Sequence, residues 1–230
     1  MLYFINLKKL EIMLKAVNLK KAYKGLQVLK GVNLAVSKGE IVSIVGASGA
    51  GKTTLLHILG TLDSPDSGEL FIDDEAIVIQ DMNDAAISGF RNRKIGYIFQ
   101  FHNLLPEFSA FENVCLPGFI AKRDTVEVRE KALNLLDILG LKDRLNHKPS
   151  ELSGGEQQRI AIARALINSP AIVFADEPSG NLDSKNAEDL HKLFFQLRDE
   201  FQQTFVIVTH NLSLAGISDR KIEIKDGIIV

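Results

Sequence analysis

Hydrophobic and polar positions divide the chain into three regions with different periodicity. Residues 13–80 contain short β-type runs separated by turns at 24–25, 38–39 and 73–74, which predict an antiparallel sheet around a more apolar strand at 40–45. Residues 101–168 carry apolar side chains at helical spacing, most clearly over 126–139, and they predict a helical segment. Residues 171–230 return to alternating strands and helices, the pattern of parallel β-α-β units. The chain is therefore predicted to be a mixed α/β protein.

The strand at 40–45 leads directly into a glycine-rich loop with the spacing of a phosphate-binding loop of the Walker A type. Its residues and the one after them are Gly46, Ala47, Ser48, Gly49, Ala50, Gly51, Lys52, Thr53 and Thr54. The glycines allow a tight turn that points backbone N–H groups at phosphate oxygens, and the helix predicted to follow adds a partial positive charge. Lys52 can contact the β- and γ-phosphates, while the Thr53 hydroxyl can ligate Mg²⁺. The loop predicts nucleoside triphosphate binding, and the alternative of an ordinary glycine-rich turn does not explain the flanking strand and helix.

Composition and charge fit a soluble protein around that loop. The 230 residues are 46% hydrophobic, enough for a core, and the net charge of −2 implies no polyanion-binding surface. The chain contains no run of about 18 apolar residues, so no membrane span is predicted. Residues 1–12 are predicted to be an extension, not a signal peptide, because Lys8 and Lys9 follow the apolar stretch. The single Cys115 excludes an internal disulfide and is typical of a reducing cytoplasm.

Two carboxylates follow an apolar strand in the last third of the chain. Residues 171–175 are apolar and are followed directly by Asp176 and Glu177. This pattern is typical of a buried parallel strand with acidic residues at its carboxyl end. Asp176 is predicted to lie near the Mg²⁺ held by Thr53, and Glu177 to polarise the attacking water. The alternative is a strand followed by a surface turn.

A second candidate anion site precedes the helix predicted at 156–167. It consists of Ser153, Gly154, Gly155 and Glu156, in which serine and glutamate have the spacing of a capping box. The glycines leave N–H groups uncovered at a helix N-terminus, which favours an anion. One nucleotide does not obviously need two phosphate sites from the same subunit.

These motifs, in this order, resemble the ATP-binding-cassette (ABC) family from about residue 13 to residue 230. Leu152–Gln157 are similar to the family's signature, which contacts the nucleotide of the opposite subunit. The resemblance implies a P-loop NTPase (RecA-like) core, an antiparallel β-subdomain and an inserted helical subdomain at about 101–168. It also implies that two copies enclose two Mg·ATP.

The resemblance assigns roles to further residues. Tyr23 is implied to stack on adenine, Gln100 to reach the metal and the attacking water, and His210 to contact the γ-phosphate. Residues 179–183 are similar to the D-loop, which crosses the dimer interface. Taken singly, these residues have ordinary alternatives: a sheet aromatic, a surface amide and a strand-end imidazole. Three other histidines match no catalytic element and are interpreted as packing or surface residues: His57, His147 and His191.

Within the family, the spacing favours a separate ATPase subunit of a transporter. Only about 50 residues separate Gln100 from Ser153 and no heptads are sustained, so the coiled coil of chromosome-maintenance ATPases is absent. A single cassette also disfavours the tandem translation-factor type. The expected partners are a second copy of this chain and two membrane-spanning permease subunits, with no nucleic acid. The expected location is peripheral, on the cytoplasmic face of a bacterial inner membrane.

Residues 99–114 and 146–155 resemble the ATPase subunits of bacterial lipoprotein-releasing systems, especially in the Gln-Phe-His combination at 100–102. This resemblance implies that ATP hydrolysis powers the release of lipoproteins toward the outer membrane, with the cargo contacted by the permease. The alternatives are the ATPase subunit of a macrolide-type exporter or of a cell-division scaffolding complex. A soluble DNA-repair ATPase is the alternative that the sequence favours least.

The loop after Gln100 has no strand period and is rich in aromatic, leucine and proline residues. Phe101–Phe111 are predicted to form the surface that receives a cytoplasmic helix from the permease. The alternative is that side chains such as Leu104 and Phe108 belong to the core of the helical subdomain.

Overall fold

The computed structural model describes residues 11–230, so most of the predicted N-terminal extension lies outside the described residues. The strands are β1 (Ile12–Tyr23), β2 (Leu26–Ser37), β3 (Ile41–Val45), β4 (Ser67–Ile72), β5 (Glu75–Ala76), β6 (Ile95–Ile98), β7 (Ile172–Asp176), β8 (Thr204–Val208), β9 (Arg220–Lys225) and β10 (Ile228–Ile229). The α-helices are α1 (Lys52–Leu59), α2 (Asp84–Lys94), α3 (Ala110–Ile120), α4 (Thr125–Ile138), α5 (Gly154–Leu166), α6 (Ser184–Phe201) and α7 (Leu212–Ile217).

The first sheet is antiparallel and has the strand order β2-β1-β4-β5. Turns predicted at 24–25 and 73–74 join β1 to β2 and β4 to β5, and the turn at 38–39 leads from β2 toward β3. The predicted antiparallel β-subdomain is therefore confirmed.

The second sheet has the order β10-β9-β3-β8-β7-β6 and forms the centre of the fold. Strands β9, β3, β8, β7 and β6 run parallel to their neighbours, and only the hairpin of β9 and β10 is antiparallel. Parallel strands end at the same edge of a sheet. Residues that follow β3, β6, β7 and β8 are therefore brought to one edge.

Alternation along β7 shows how the central sheet is covered on both faces. Ile172 and Phe174 belong to an apolar cluster that includes α1 and the antiparallel sheet. Val173 and Ala175 belong to a second cluster that includes α3, α4, α5 and α6. Successive side chains of a strand point to opposite faces, so an almost continuous apolar run is required here.

The helical region begins with well-capped helices. Ser109 and Glu112 form a capping box at the start of α3, and Asp124 accepts hydrogen bonds from two N–H groups at the start of α4. Helix α2 is not predicted from the sequence, because it buries only Ile87 and Phe90 and therefore carries little apolar periodicity. The exact limits of the helical subdomain stay a prediction, because its helices share one cluster with the central sheet.

Candidate active site

The phosphate-binding loop connects β3 to α1 in a conformation that requires glycine. Gly46 has a φ of +154°, and a Cβ there would lie 2.2 Å from the carbonyl oxygen of Ile224. Gly51 has a φ of +104° and precedes the first residue of α1. The hairpin of β9 and β10 supports the loop from outside, since the N–H of Gly227 donates to the carbonyl of Ala50 at 3.2 Å. The loop is therefore held in place by its neighbours.

Lys52 lies across the mouth of this loop. Its Nζ donates to the carbonyl oxygens of Gly46 at 2.9 Å and Ala47 at 3.0 Å. The positive charge therefore stands where the sequence predicts the phosphates, and these two carbonyls hold it there.

Asp176, the last residue of β7, lies beside the start of α1. Burial raises the pKa of Asp176, whereas the nearby His57, Lys52 and Thr53 act to lower it. Asp176 therefore lies close to Thr53, and it also has a neighbour in His57, which is interpreted from the sequence as a packing or surface residue. Carboxylate and hydroxyl oxygens suit a hard cation such as Mg²⁺, which takes few protein ligands when phosphates supply the others. Residues 11–230 hold no cluster of three or more acidic, histidine or cysteine ligands.

Glu177 and His210 meet at the carboxyl ends of β7 and β8. One carboxylate oxygen of Glu177 lies 2.8 Å from Nδ1 of His210 and accepts the backbone N–H of His210 at 3.1 Å. Glu177 has a φ of +45°, which is uncommon for a residue other than glycine. Its own N–H donates to the carbonyl of Val208 at 2.9 Å, which stabilises this backbone. The contact between the two predicted catalytic residues joins strands that are far apart in sequence.

Gln100 follows β6 and contacts the D-loop, residues 179–183. Its Nε2 donates to Oδ1 of Asn181 at 3.4 Å, and Nδ2 of Asn181 donates to the carbonyl of Gln100 at 3.1 Å. The sequence analysis gave Asn181 no role of its own. In this conformation the Gln100 amide is thus paired with the D-loop.

His191 contacts Ser179, the first residue of the D-loop. The imidazole is buried, and its Nε2 lies 3.2 Å from the hydroxyl oxygen of Ser179. Burial lowers the pKa of His191, which favours the neutral ring. The sequence analysis treated His191 as a packing or surface residue, and the structure adds this contact with a motif residue.

The second anion site lies at the start of α5. Ser153 is exposed, and its N–H and hydroxyl each donate to one oxygen of Glu156 at 2.8 Å. The other oxygen of Glu156 accepts a hydrogen bond from Nε of Arg144 at 2.8 Å. The bonds from Ser153, together with Arg144, hold the pKa of Glu156 at about 2. Glu156 is therefore ionised and engaged in the cap, and Arg144 is a partner that the sequence analysis missed.

Tyr23, at the end of β1, lies beside Thr54 of α1. The ring is 45% exposed. An exposed aromatic ring next to a phosphate-binding loop fits the predicted platform for a base.

The loop, the two carboxylates and the imidazole define a P-loop ATPase cassette. The sequence model of the ABC transporter family matches residues 29–180, and the chain belongs to that family. The predicted family and fold class are thereby confirmed.

Similar proteins cover nearly the whole chain. The lipoprotein-releasing system ATP-binding protein LolD of Cytophaga hutchinsonii is 61% identical over 94% of this chain and 98% of its own length. The LolD protein of Bacteroides thetaiotaomicron is 58% identical over 94% of this chain and 99% of its own length.

Solved structures agree with this family. An ATP-binding cassette, solved as a dimer in a post-hydrolysis state with ADP and phosphate, is 44% identical with a TM-score of 0.84, covering 94% of this chain and 96% of that one. The cbiO1 protein of Clostridium perfringens, part of an ABC transporter complex, is 28% identical with a TM-score of 0.87, covering 96% of this chain and 87% of that one.

Proposed function

We propose that this chain is the ATP-hydrolysing subunit of an ABC transporter that powers the release of lipoproteins from the inner membrane toward the outer membrane. Hydrolysis is supported by one observation above all: the phosphate-binding loop, Asp176 and the pair of Glu177 and His210 lie at one edge of the central sheet. The lipoprotein cargo is supported by the names of relatives that are 57–61% identical over at least 91% of the chain. Those names favour this function over macrolide export and cell-division scaffolding.

The chain's own groups bind the triphosphate before any chemistry occurs. The N–H groups of the loop and the ammonium of Lys52 bind the β- and γ-phosphates. Thr53 and Asp176 would hold Mg²⁺, which would neutralise the negative charge of the phosphates when bound. Gln100 is proposed to join them after it leaves Asn181.

Glu177 is proposed to orient the attacking water and accept its proton. A left-handed residue costs about 1–3 kcal/mol, and such strain is found where a side chain must be aimed at a reaction centre. The contact with Nδ1 of His210 fixes the carboxylate. It leaves Nε2 of His210 facing away from Glu177, and this nitrogen would donate to the γ-phosphate when both ring nitrogens carry a proton.

The site is proposed to be completed by a second copy of this chain. The N-terminus of α5 would bind the γ-phosphate held by the partner's loop. It is formed by the N-cap Ser153 and by Gly154 and Gly155, and the first two of these are exposed. The Ser153 hydroxyl now donates its single proton to Glu156, so it would turn that proton to the phosphate when the two copies meet, while Glu156 keeps accepting the Ser153 N–H. The dimeric state of a similar cassette supports this assembly.

The membrane partners are proposed to be two permease subunits of the LolC and LolE kind. Residues 11–230 contain no helix long and apolar enough to cross a bilayer. The chain would therefore lie peripherally on the cytoplasmic face of the inner membrane, while the permeases contact the lipoprotein. No nucleic acid takes part.

The surface proposed to receive the permease is narrower than the whole segment 101–111. Phe101 is 70% exposed, whereas Leu104 and Phe111 pack against the second apolar cluster. The alternative reading, a contribution to the core, thus applies to Leu104 but not to Phe101. Arg164 of α5 donates to the carbonyls of His102 and Asn103 at 2.7 Å each, which holds the loop against α5.

A charge at this surface tests the proposed coupling to the membrane. Phe101→Glu is expected to leave the ATPase rate of the isolated subunit within about twofold, because exposed substitutions change stability little. It is expected to abolish co-purification with the permease subunits and lipoprotein release from inner-membrane vesicles. Val126→Glu, at a similarly exposed apolar position (62%) on α4, is the matched control and should retain both assembly and lipoprotein release. If the Phe101 variant still assembles and releases lipoproteins, this surface does not receive the permease.

A further inference from the structure

Tyr23, Lys21 and Asp63 form a cluster beside the phosphate-binding loop. The Tyr23 hydroxyl donates to Oδ2 of Asp63 at 2.5 Å, and Nζ of Lys21 donates to Oδ1 of the same carboxylate at 2.8 Å. Nζ of Lys21 also lies 5.1 Å from the centre of the Tyr23 ring. One carboxylate therefore joins a buried ammonium to an exposed ring.

Asp63 is itself fixed to the end of α1. The backbone N–H groups of Leu62 and Asp63 both donate to the carbonyl of His57, at 2.7 and 3.2 Å. Oδ1 of Asp63 also accepts the N–H of Ser64 at 2.7 Å. Because α1 begins at the phosphate-binding loop, the carboxylate stands on the same rigid element as the phosphate site.

Lys21 is the buried member of the cluster and holds Asp63 in place. It is only 8% exposed, and its ammonium also donates to the carbonyl of Ser64 at 2.7 Å. A buried cation is stable only when it is paired, so Lys21 and Asp63 constrain each other. The bonds from Lys21 and Tyr23 overcome the effect of burial and hold the pKa of Asp63 below its ordinary value.

We propose that Asp63 is a positioning residue that fixes the Tyr23 ring as the platform for the adenine of ATP. The inference rests on the proposed ATP site. The Tyr23 hydroxyl donates its proton to Asp63, so Tyr23 offers the base the face of its ring and not a hydrogen-bond donor. A ring held in advance loses little freedom when the base binds, and that raises affinity.

The test compares a nucleotide with a probe that lacks the base. Isothermal titration of Mg·ATP and Mg·tripolyphosphate is measured for the wild type, Tyr23→Phe, Asp63→Ala and the double variant. Each single variant is expected to raise the Kd for ATP about 5- to 20-fold, part of what base stacking on an aromatic ring contributes. The double variant should bind no more weakly than the weaker single variant, because both changes remove the same bond. The Kd for tripolyphosphate should stay unchanged.

Two further measurements separate positioning from a general structural effect. The KM for ATP should rise in both single variants while kcat stays within about twofold, since the catalytic groups are not altered. Asp66→Asn is the matched control: Asp66 lies 4.0 Å from Lys21 and accepts the N–H of Ala22 at 2.7 Å, whereas the Tyr23 hydroxyl donates to Asp63. Its affinity for ATP should equal that of the wild type. Tyr23→Phe leaves the pair of Lys21 and Asp63 intact and decides the question if Asp63→Ala does not fold.

Wild-type affinity for ATP in Tyr23→Phe would overturn the proposal. So would an equal loss of affinity for ATP and tripolyphosphate, because the cluster would then act on the phosphate loop. A wild-type protein that binds neither probe would instead overturn the ATP site, and with it the proposal that depends on it.

Discussion

Glu177→Gln is expected to slow ATP hydrolysis by roughly 10²–10⁴-fold, the usual effect of a positioned acid–base group. Glutamine has nearly the same shape as glutamate and keeps an oxygen that can accept the N–H of His210, as the glutamate does at 3.1 Å. It cannot take a proton from water. The change therefore removes the chemistry and leaves the geometry.

Steady-state phosphate release measures this effect, and isothermal titration shows whether ATP still binds. The Kd for ATP should stay within a few-fold of the wild type, because Lys52 and the loop are untouched. Glu188→Gln, an exposed carboxylate on α6 paired with Lys192, is the matched control and should hydrolyse ATP normally. Wild-type turnover in Glu177→Gln would contradict the assignment of Glu177 as the group that accepts the proton of the attacking water.

Lys52→Ala is expected to raise the Kd for ATP by about 10- to 150-fold, the equivalent of one hydrogen bond to a charged group. The ammonium stands at the mouth of the loop, where it donates to the carbonyls of Gly46 and Ala47 at 2.9 and 3.0 Å. Phosphate oxygens are proposed to replace these carbonyls when ATP binds. The loss of the charge therefore weakens binding itself, in contrast to Glu177→Gln.

The same titration tests this prediction, with Lys38→Ala as the control. Lys38 is an exposed lysine that pairs with Glu11 at 3.0 Å, and it precedes β3, whereas the loop follows the other end of that strand. A thermal melt shows whether Lys52→Ala retains its fold, since the two carbonyl contacts are also lost. If a folded Lys52→Ala binds ATP as tightly as the wild type, the loop does not bind phosphate as proposed.

Much of the site could be predicted because its parts are local motifs attached to predictable strands. The phosphate-binding loop follows β3, and the carboxylate pair follows an apolar run that is typical of a buried strand. The parallel order of the sheet then brings the ends of these strands together. The meeting of Glu177 and His210 follows from that order, although no spacing in the sequence reveals the 2.8 Å contact.

Contacts between loops could not be predicted in this way. Gln100 and Asn181 are 81 positions apart, and their hydrogen bonds depend on the path of two irregular segments. His191 reaches Ser179 only because α6 folds back beside the D-loop. Burial in the segment after Gln100 also has no period, so the exposed Phe101 could not be told apart from the packed Leu104. Helix α2 could not be predicted from the sequence either, because it buries few apolar residues.

The association state of Glu177→Gln tests most directly whether two copies share the ATP sites. Sedimentation velocity should show a monomer without nucleotide and a dimer with saturating Mg·ATP, because the signature of one copy then binds the γ-phosphate held by the other. Adding Ser153→Glu to this variant should restore the monomer, since it places a negative charge where that phosphate binds. A Glu177→Gln protein that stays monomeric at saturating ATP, even with the permease subunits present, would contradict the shared site.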